Sequence, residues 1–227
     1  MRKLVVITGG TRGIGRAIVE KFTREGYEVA VCARSLPALK ALQAKLSKDR
    51  VHIFSADLSV RKEVSAFGNF VLELNLPVSA LINNAGVFLP GRMMEEDEQN
   101  LSTQLNTNLL SAYFLTRHLV SRITAGSHIF NMCSIASRIS PPNSGSYAIS
   151  KFALLGFTQG LRAELRSSGV KVTAVLPGAT FTDSWAGTAL PESRFIPAVD
   201  VAEAVWSAYR LTGVVEEIVI RPQLGDL

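Results

Sequence analysis

Short aliphatic runs alternate with amphipathic stretches from one end of the chain to the other, and few folds accept that alternation. Strands are expected over residues 4–8, 28–33, 51–55, 80–83, 128–132, 171–175 and 217–220. Helical periodicity fills 14–25, 36–46, 60–74, 101–122, 147–166 and 199–209. Several strands, such as Leu4-Val5-Val6-Ile7, are continuously apolar, which suits strands covered on both faces. Strand–helix–strand repetition implies right-handed crossovers and a parallel sheet flanked by helices. The expected fold is α/β: a single-domain Rossmann fold with a doubly wound, seven-stranded parallel sheet. No stretch of the 227 residues reads as a linker or repeat, so one domain over 1–227 is expected.

In such sheets ligands bind beyond the carboxyl ends of the strands, where the strand order reverses. Residues that follow strands are therefore the informative ones. After the first strand comes Thr8-Gly9-Gly10-Thr11-Arg12-Gly13-Ile14-Gly15, which opens a helix. Glycines let the backbone turn tightly and let a pyrophosphate approach main-chain N–H groups, while the positive helix end favours its charge. Dinucleotide binding is the expected use. The second strand ends in Ala33-Arg34, where an NAD site usually carries an acid for the ribose 2′-hydroxyl. A guanidinium there can instead hold a 2′-phosphate, with Arg12 close by, so NADP(H) is the expected cofactor. Asp57-Leu58, after the third strand, can meet the adenine edge, or Asp57 can cap the helix that starts near Val60.

The chemistry is expected at Asn108, Ser134, Tyr147 and Lys151. Tyr147 and Lys151 stand four apart, on one face of a helix. A phenol ordinarily titrates near ~10, so a tyrosine that exchanges protons at neutral pH needs a cation beside its phenolate. Ser134 follows the run 128–132, where its hydroxyl can stabilise charge developing on a substrate oxygen. Three scattered histidines offer no metal-ligand spacing, and no metal is expected.

Together these residues strongly resemble the short-chain dehydrogenase/reductase family. The matching elements are Thr8 to Gly15, Asp57, Asn83-Asn84-Ala85-Gly86, Asn108, Ser134, the Tyr147/Lys151 pair 13 residues beyond the serine, and Pro177-Gly178 with Thr182. The resemblance implies reversible, NADP-dependent exchange of a hydride between the nicotinamide and a carbonyl or alcohol carbon. It also implies that Asn108 holds a water that relays protons to Lys151. Asn106 competes for that role, but Asn108 fits the spacing to Thr116 better. It further implies that Asn83-Asn84-Ala85-Gly86 supports the central strand and lines the adenosine-ribose side, that Pro177-Gly178 passes close to the nicotinamide, that Thr182 can bond its carboxamide or a phosphate, and that Thr180 belongs to the cofactor site. Ser111 stands where the family usually has glycine. Cys133 precedes Ser134 where a second serine is frequent.

The substrate is less constrained. Phe88-Leu89-Pro90, Ile135, Pro141-Pro142-Asn143 and the segment 181–195 with Trp185 are candidate walls, all suited to an apolar or planar carbonyl compound. The stretch Phe181-Thr182-Asp183-Ser184-Trp185 and the tail from Val214 to Asp226 are similar to bacterial sepiapterin-reductase-like members. Reductases of 3-oxoacyl groups on acyl-carrier protein, and a silent NADP-binding regulator, are the alternatives. The regulator is disfavoured because the whole catalytic set is present.

Composition sets the remaining expectations. Hydrophobic residues make up 47% and charged residues 19%, and no apolar run approaches the ~20 residues of a membrane span. The run after Met1-Arg2-Lys3 breaks at once into glycines, too early for a signal peptide. Cys32 and Cys133 lack metal or redox spacing and read as buried thiols, so a cytoplasmic protein is expected. The +5 charge is dispersed and accompanies no nucleic-acid motif, so the expected partner is a small carbonyl or alcohol substrate, with no membrane or nucleic acid. The resemblance implies a homodimer or homotetramer, with helices over 101–122 and 147–166 as interface candidates.

Overall fold

The computed structural model describes residues 3–182, 185 and 187–225. Of the sequence readings, those at Met1, Arg2, Asp183, Ser184 and Asp226 lie outside the described residues. Chain order is β1 (Leu4–Thr8), α1 (Gly13–Arg24), β2 (Glu28–Ala33), α2 (Leu36–Leu46), β3 (Val51–Ser55), α3 (Arg61–Glu73) and β4 (Val78–Asn83). There follow α4 (Glu98–Leu105), α5 (Ser111–Leu119), β5 (Ile123–Met132), α6 (Gly145–Leu165), β6 (Lys171–Pro177), α7 (Ala198–Arg210) and β7 (Glu217–Ile220).

All seven strands pair in parallel in the order β3-β2-β1-β4-β5-β6-β7. The order reverses between β1 and β4, so the loops leaving those two strands diverge and open a crevice between them. Every residue of β1 is buried, because both faces of the sheet are covered. Val5 and Ile7 point to one face and pack with Ile18 and Phe22 of α1, Leu39 of α2 and Val201 and Val205 of α7. Leu4 and Val6, at alternate positions, point to the other face and meet Val64 and Phe67 of α3 and Leu115 and Leu119 of α5. Full burial of side chains this size stabilises by roughly 1.5–3 kcal/mol each, so the central strands are the rigid platform for whatever their ends carry.

One expected element is different. The single helix expected over 101–122 is two helices joined by a widened turn, a π segment over Asn106–Leu110, with a 3-10 turn over Val120–Arg122 at its end. The physical reason is local competition for a carbonyl. The Ser111 hydroxyl donates to Thr107 O at 2.6 Å, and the Ser111 backbone N–H bonds Asn106 O, one residue further back than an α-helix requires. Ser111, the residue that stands where glycine is usual, thus helps to close the widened turn. β4 and β5 also begin earlier than expected, at Val78 and Ile123.

Candidate active site

Thr8, the last residue of β1, is the knot between the two diverging loops. Its hydroxyl oxygen accepts from the N–H groups of Asn84 and Ala85, both at 2.9 Å. The Asn84 amide in turn donates to Thr8 O at 2.8 Å and Gly9 O at 3.1 Å. The glycine loop is therefore held from behind by the segment that follows β4. Gly9 and Gly13 have φ of 69° and 51°, the left-handed region that glycine enters without strain. A Cβ at Gly15 would lie 2.3 Å from Gly9 O and 2.4 Å from Asn84 Nδ2, so α1 starts hard against the loop. The N-cap residue Arg12 makes no side-chain capping bond, and the first turn of α1 contains no acid. The positive end of α1 thus faces the crevice, as a pyrophosphate site requires.

A cavity of about 780 Å³ lies over this loop. Gly9, Thr11, Arg12, Gly13, Ile14, Gly15, Arg34, Asp57, Leu58, Asn84, Ala85, Gly86 and Thr182 all line it. Arg34 is exposed at the end of β2, with its carbonyl held by Ser55 Oγ at 3.1 Å and the next residue, Ser35, capping α2 through Ala38 N. Asp57 is not the cap of α3. Its carboxylate accepts from the N–H and hydroxyl of Ser59, while Val60 is the N-cap residue.

A second cavity, of about 610 Å³, shares Ile14, Asn84, Gly86, Val87 and Thr182 with the first, so the two form one cleft. Ser134, Tyr147, Lys151, Pro177, Gly178 and Thr180 line it, as do Phe88, Ile135 and Trp185. Thr180 is buried and turns its hydroxyl to Gly178 O at 3.0 Å. Asn143 is not in its lining. It is exposed on the loop before α6 in a left-handed conformation (φ 57°), and its carbonyl accepts from Gly91 N at 2.9 Å. Its neighbours Pro141, Pro142 and Ser144 line the cavity instead. Lys151 is the sole charged side chain in this lining among the described residues, and the rest of the wall is mostly apolar.

Three elements converge on this cavity. Ser134 follows β5, and its Oγ accepts from Ala136 N at 3.1 Å while its own N–H donates to Ser137 Oγ at 3.1 Å. The capping bond uses a lone pair of Oγ and leaves the hydroxyl proton free to be donated to a ligand. Tyr147 and Lys151 sit in the first two turns of α6, with Lys151 Nζ 5.7 Å from the Tyr147 ring centroid. Lys151 is 5% exposed and donates to Met132 O at 2.7 Å. Phe88 closes the other side, its ring edge-on to Tyr147 at 4.8 Å. Burial pushes the Cys133 thiol above its ordinary range and Cys32 up to about 12, so neither cysteine supplies a thiolate here.

Asn108 lies behind the cavity, 1% exposed, and touches it only through its neighbours. Its Oδ1 accepts from Val87 N at 2.7 Å, and its Nδ2 donates to Val87 O at 3.0 Å and to Ser150 Oγ at 2.9 Å. Both amide protons are therefore committed to protein. Ser150 passes the link on to Tyr147 O at 2.7 Å. Reasoning from sequence missed Ser150 and its counterparts Gln104, Ser146 and Glu96. A helical spacing of four, Gln104/Asn108 facing Ser146/Ser150, was the signal available. Among the described residues, no group of three or more His, Cys, Asp or Glu could hold a metal ion, and no helix is long and apolar enough to cross a membrane.

The short chain dehydrogenase family model matches residues 3–192. The chain belongs to that family and is an oxidoreductase of the short-chain dehydrogenase/reductase type. Among its relatives, a sepiapterin reductase of Chlorobaculum tepidum is 30% identical over all of this chain and 99% of its own length. A human 3-oxoacyl-[acyl-carrier-protein] reductase is 31% identical over 90% of both chains. Among solved structures, an alcohol dehydrogenase of Thermococcus sibiricus complexed with 5-hydroxy-NADP superposes with a TM-score of 0.90 at 27% identity, covering 98% of this chain and 97% of that one. A short chain dehydrogenase of Burkholderia cenocepacia in complex with NADP gives 0.89 at 28% identity, covering 97% and 96%.

Proposed function

We propose that this chain uses NADPH to reduce uncharged, apolar carbonyl compounds, with aryl ketones and vicinal dicarbonyls as the preferred class. One observation carries the reading. Ser134, Tyr147 and Lys151 line a largely apolar cavity that is continuous with the glycine-loop cavity bearing Arg12 and Arg34. The cleft fits the dinucleotide. The close approach of Gly15 to Gly9 O leaves the first turn of α1 open for a pyrophosphate, and a guanidinium stands where an acid would repel a 2′-phosphate.

NADPH supplies a hydride when bound; the protein supplies the rest. Ser134 donates its hydroxyl proton to the substrate oxygen and holds it in place, and Tyr147 donates a second hydrogen bond and then its proton. The Lys151 ammonium stabilises the phenolate that results. Asn108 acts through Ser150, fixing the helix that carries Tyr147 and Lys151. Among the described residues of the lining Lys151 is the only charged group, so a substrate carboxylate or phosphate would find no further counter-charge from them.

The test is NADPH consumption against a panel of aryl ketones, vicinal diketones, pterins and 3-oxoacyl thioesters, run in parallel with Tyr147→Phe. Turnover of an uncharged aryl dicarbonyl, lost in Tyr147→Phe with NADPH binding retained, is expected. Substantial activity of Tyr147→Phe would overturn the assignment.

A further inference from the structure

Gln104 stands one helical turn before Asn108 and is completely buried, with 0% exposure. Its amide repeats, two residues further along the chain from β4, what Asn108 does. Oε1 accepts from Leu89 N at 3.0 Å, and Nε2 donates to Ser146 Oγ at 2.7 Å while lying 3.5 Å from Leu89 O. Each amide thus offers an acceptor and a donor to one backbone residue, as a neighbouring strand would, and gives its second proton to a serine on α6. Two parallel rungs result, Val87–Asn108–Ser150 and Leu89–Gln104–Ser146. Phe88 lies between the rungs on the loop, and Tyr147 between the two serines on α6; their rings meet at 4.8 Å.

The second rung ends on a carboxylate. Glu96 Oε1 accepts from Ser146 N and Oε2 from Ser146 Oγ, both at 2.9 Å. A Cβ at Gly145, which has φ of 44°, would lie 2.6 Å from Glu96 Oε2, so glycine here gives room to the carboxylate as well as to the backbone. The carboxylate also lies at the positive end of α6, where a negative charge is favourable.

We propose that Gln104, Ser146 and Glu96 are positioning residues for the reduction, holding Phe88 and Tyr147 in one mutual orientation. The proposal rests on the reading of Tyr147 as proton donor. A buried amide destabilises a fold unless its partners are all made, and a fully satisfied network specifies a single arrangement. Here the arrangement specified is that of the phenol and the wall beside it. The order of dependence runs from Glu96 and Gln104 to Ser146, then through the backbone to Tyr147.

The experiment measures reduction of 1-phenyl-1,2-propanedione by NADPH in Ser146→Ala, Gln104→Leu, the double variant, Glu96→Gln and Tyr147→Phe. Each of the first two is expected to lose about tenfold in kcat. The double variant is expected to lose no more than the worse single, since both changes break one rung. NADPH affinity, read by fluorescence, should stay within about twofold in all of them. Hydrogen exchange should quicken at the Leu89 and Ser146 amides but not in the β1 and β4 amides. Glu96 is partly exposed, so Glu96→Gln keeps the shape and folds even where Gln104→Leu does not; a loss of about threefold in kcat is expected from it. Unchanged kcat in Ser146→Ala and Glu96→Gln, losses that multiply in the double variant, or quickened exchange throughout the sheet would each overturn the proposal. Turnover lost in Tyr147→Phe but intact in Ser146→Ala overturns the positioning role alone; turnover retained in Tyr147→Phe overturns it together with the functional reading.

Discussion

Lys151 donates to the carbonyl of Met132 at 2.7 Å, so the ammonium beside Tyr147 is anchored to the last residue of β5. Two residues further on stands Ser134. One strand end therefore anchors the cation and leads into the serine, and both line the cavity that Tyr147 also lines from α6.

Lys151→Met tests this anchoring together with the charge. The variant removes the ammonium and leaves Met132 O without its buried donor. Turnover of the aryl dicarbonyl is expected to fall by about 10²–10⁴-fold, the range of a lost acid–base group. The denaturant midpoint should fall too, by the equivalent of about 1–3 kcal/mol for an unsatisfied carbonyl. Near-parental kcat would remove Lys151 from the mechanism.

Arg34→Ala isolates the choice of dinucleotide. Arg34 lines the cleft at the end of β2, where its side chain is exposed and its backbone is held by Ser55. Losing a charge-assisted pair to a 2′-phosphate should weaken NADPH by about tenfold or more, and leave NADH within about twofold. Equal losses for both, measured by fluorescence titration, would refute a 2′-phosphate at Arg34.

Much of this was legible in the sequence, and the reasons differ by residue. Strands such as Leu4–Thr8 and Glu28–Ala33 were readable because burial on both faces leaves an uninterrupted apolar run. Tyr147, Lys151 and Ser134 were readable because each follows from a local rule, helical spacing or a strand end. The break at Asn106–Leu110 was not, since a π segment depends on which carbonyl the Ser111 N–H and hydroxyl each select. Asn108 was found by resemblance, but its bonds to Val87 and Ser150 join residues 21 and 42 positions away. Gln104 and Glu96 are ordinary helix and loop residues until the fold brings Ser146 against them. Asn143, read as a pocket wall beside two prolines, instead turns outward because its left-handed backbone serves the turn.

Gly15→Ala probes the seat of the pyrophosphate. The added Cβ would meet a backbone carbonyl at 2.3 Å and the Asn84 amide at 2.4 Å, and neither can move without disturbing Thr8. Overpacking of this kind costs about 1–3 kcal/mol, and the loop must shift to relieve it. Both the urea midpoint and the affinity for NADPH are expected to fall. A variant stable as the parent with unchanged affinity would show that α1 tolerates a looser start.

Acid stability should carry the signature of His128, far from the cleft at the start of the β5–β6 pairing. The ring is completely buried, stacked on Phe130 at 3.9 Å, and its Nε2 lies 2.7 Å from Thr173 Oγ1. Thr173 gives its own proton to Val215 O at 2.5 Å, so the histidine must be the donor, which leaves Nδ1 as a buried acceptor with no partner among the described residues. Burial, and then the Lys171 ammonium, push its pKa down from 6.5 to about 3. Above pH 6.5 the residue is neutral in both folded and unfolded chains and adds no pH dependence. Below 6.5 the unfolded chain takes up a proton that the folded chain refuses until about pH 3, so stability falls as the pH drops through that window. The slope from this one group approaches about 1.4 kcal/mol per pH unit. His128→Gln keeps an amide donor for Thr173 and removes the titration. Urea unfolding at pH 7.0, 6.0 and 5.0 should therefore show a shallower decline in the variant than in the parent, by close to one proton. Parallel declines in the two proteins would mean that His128 protonates in the folded state despite its burial.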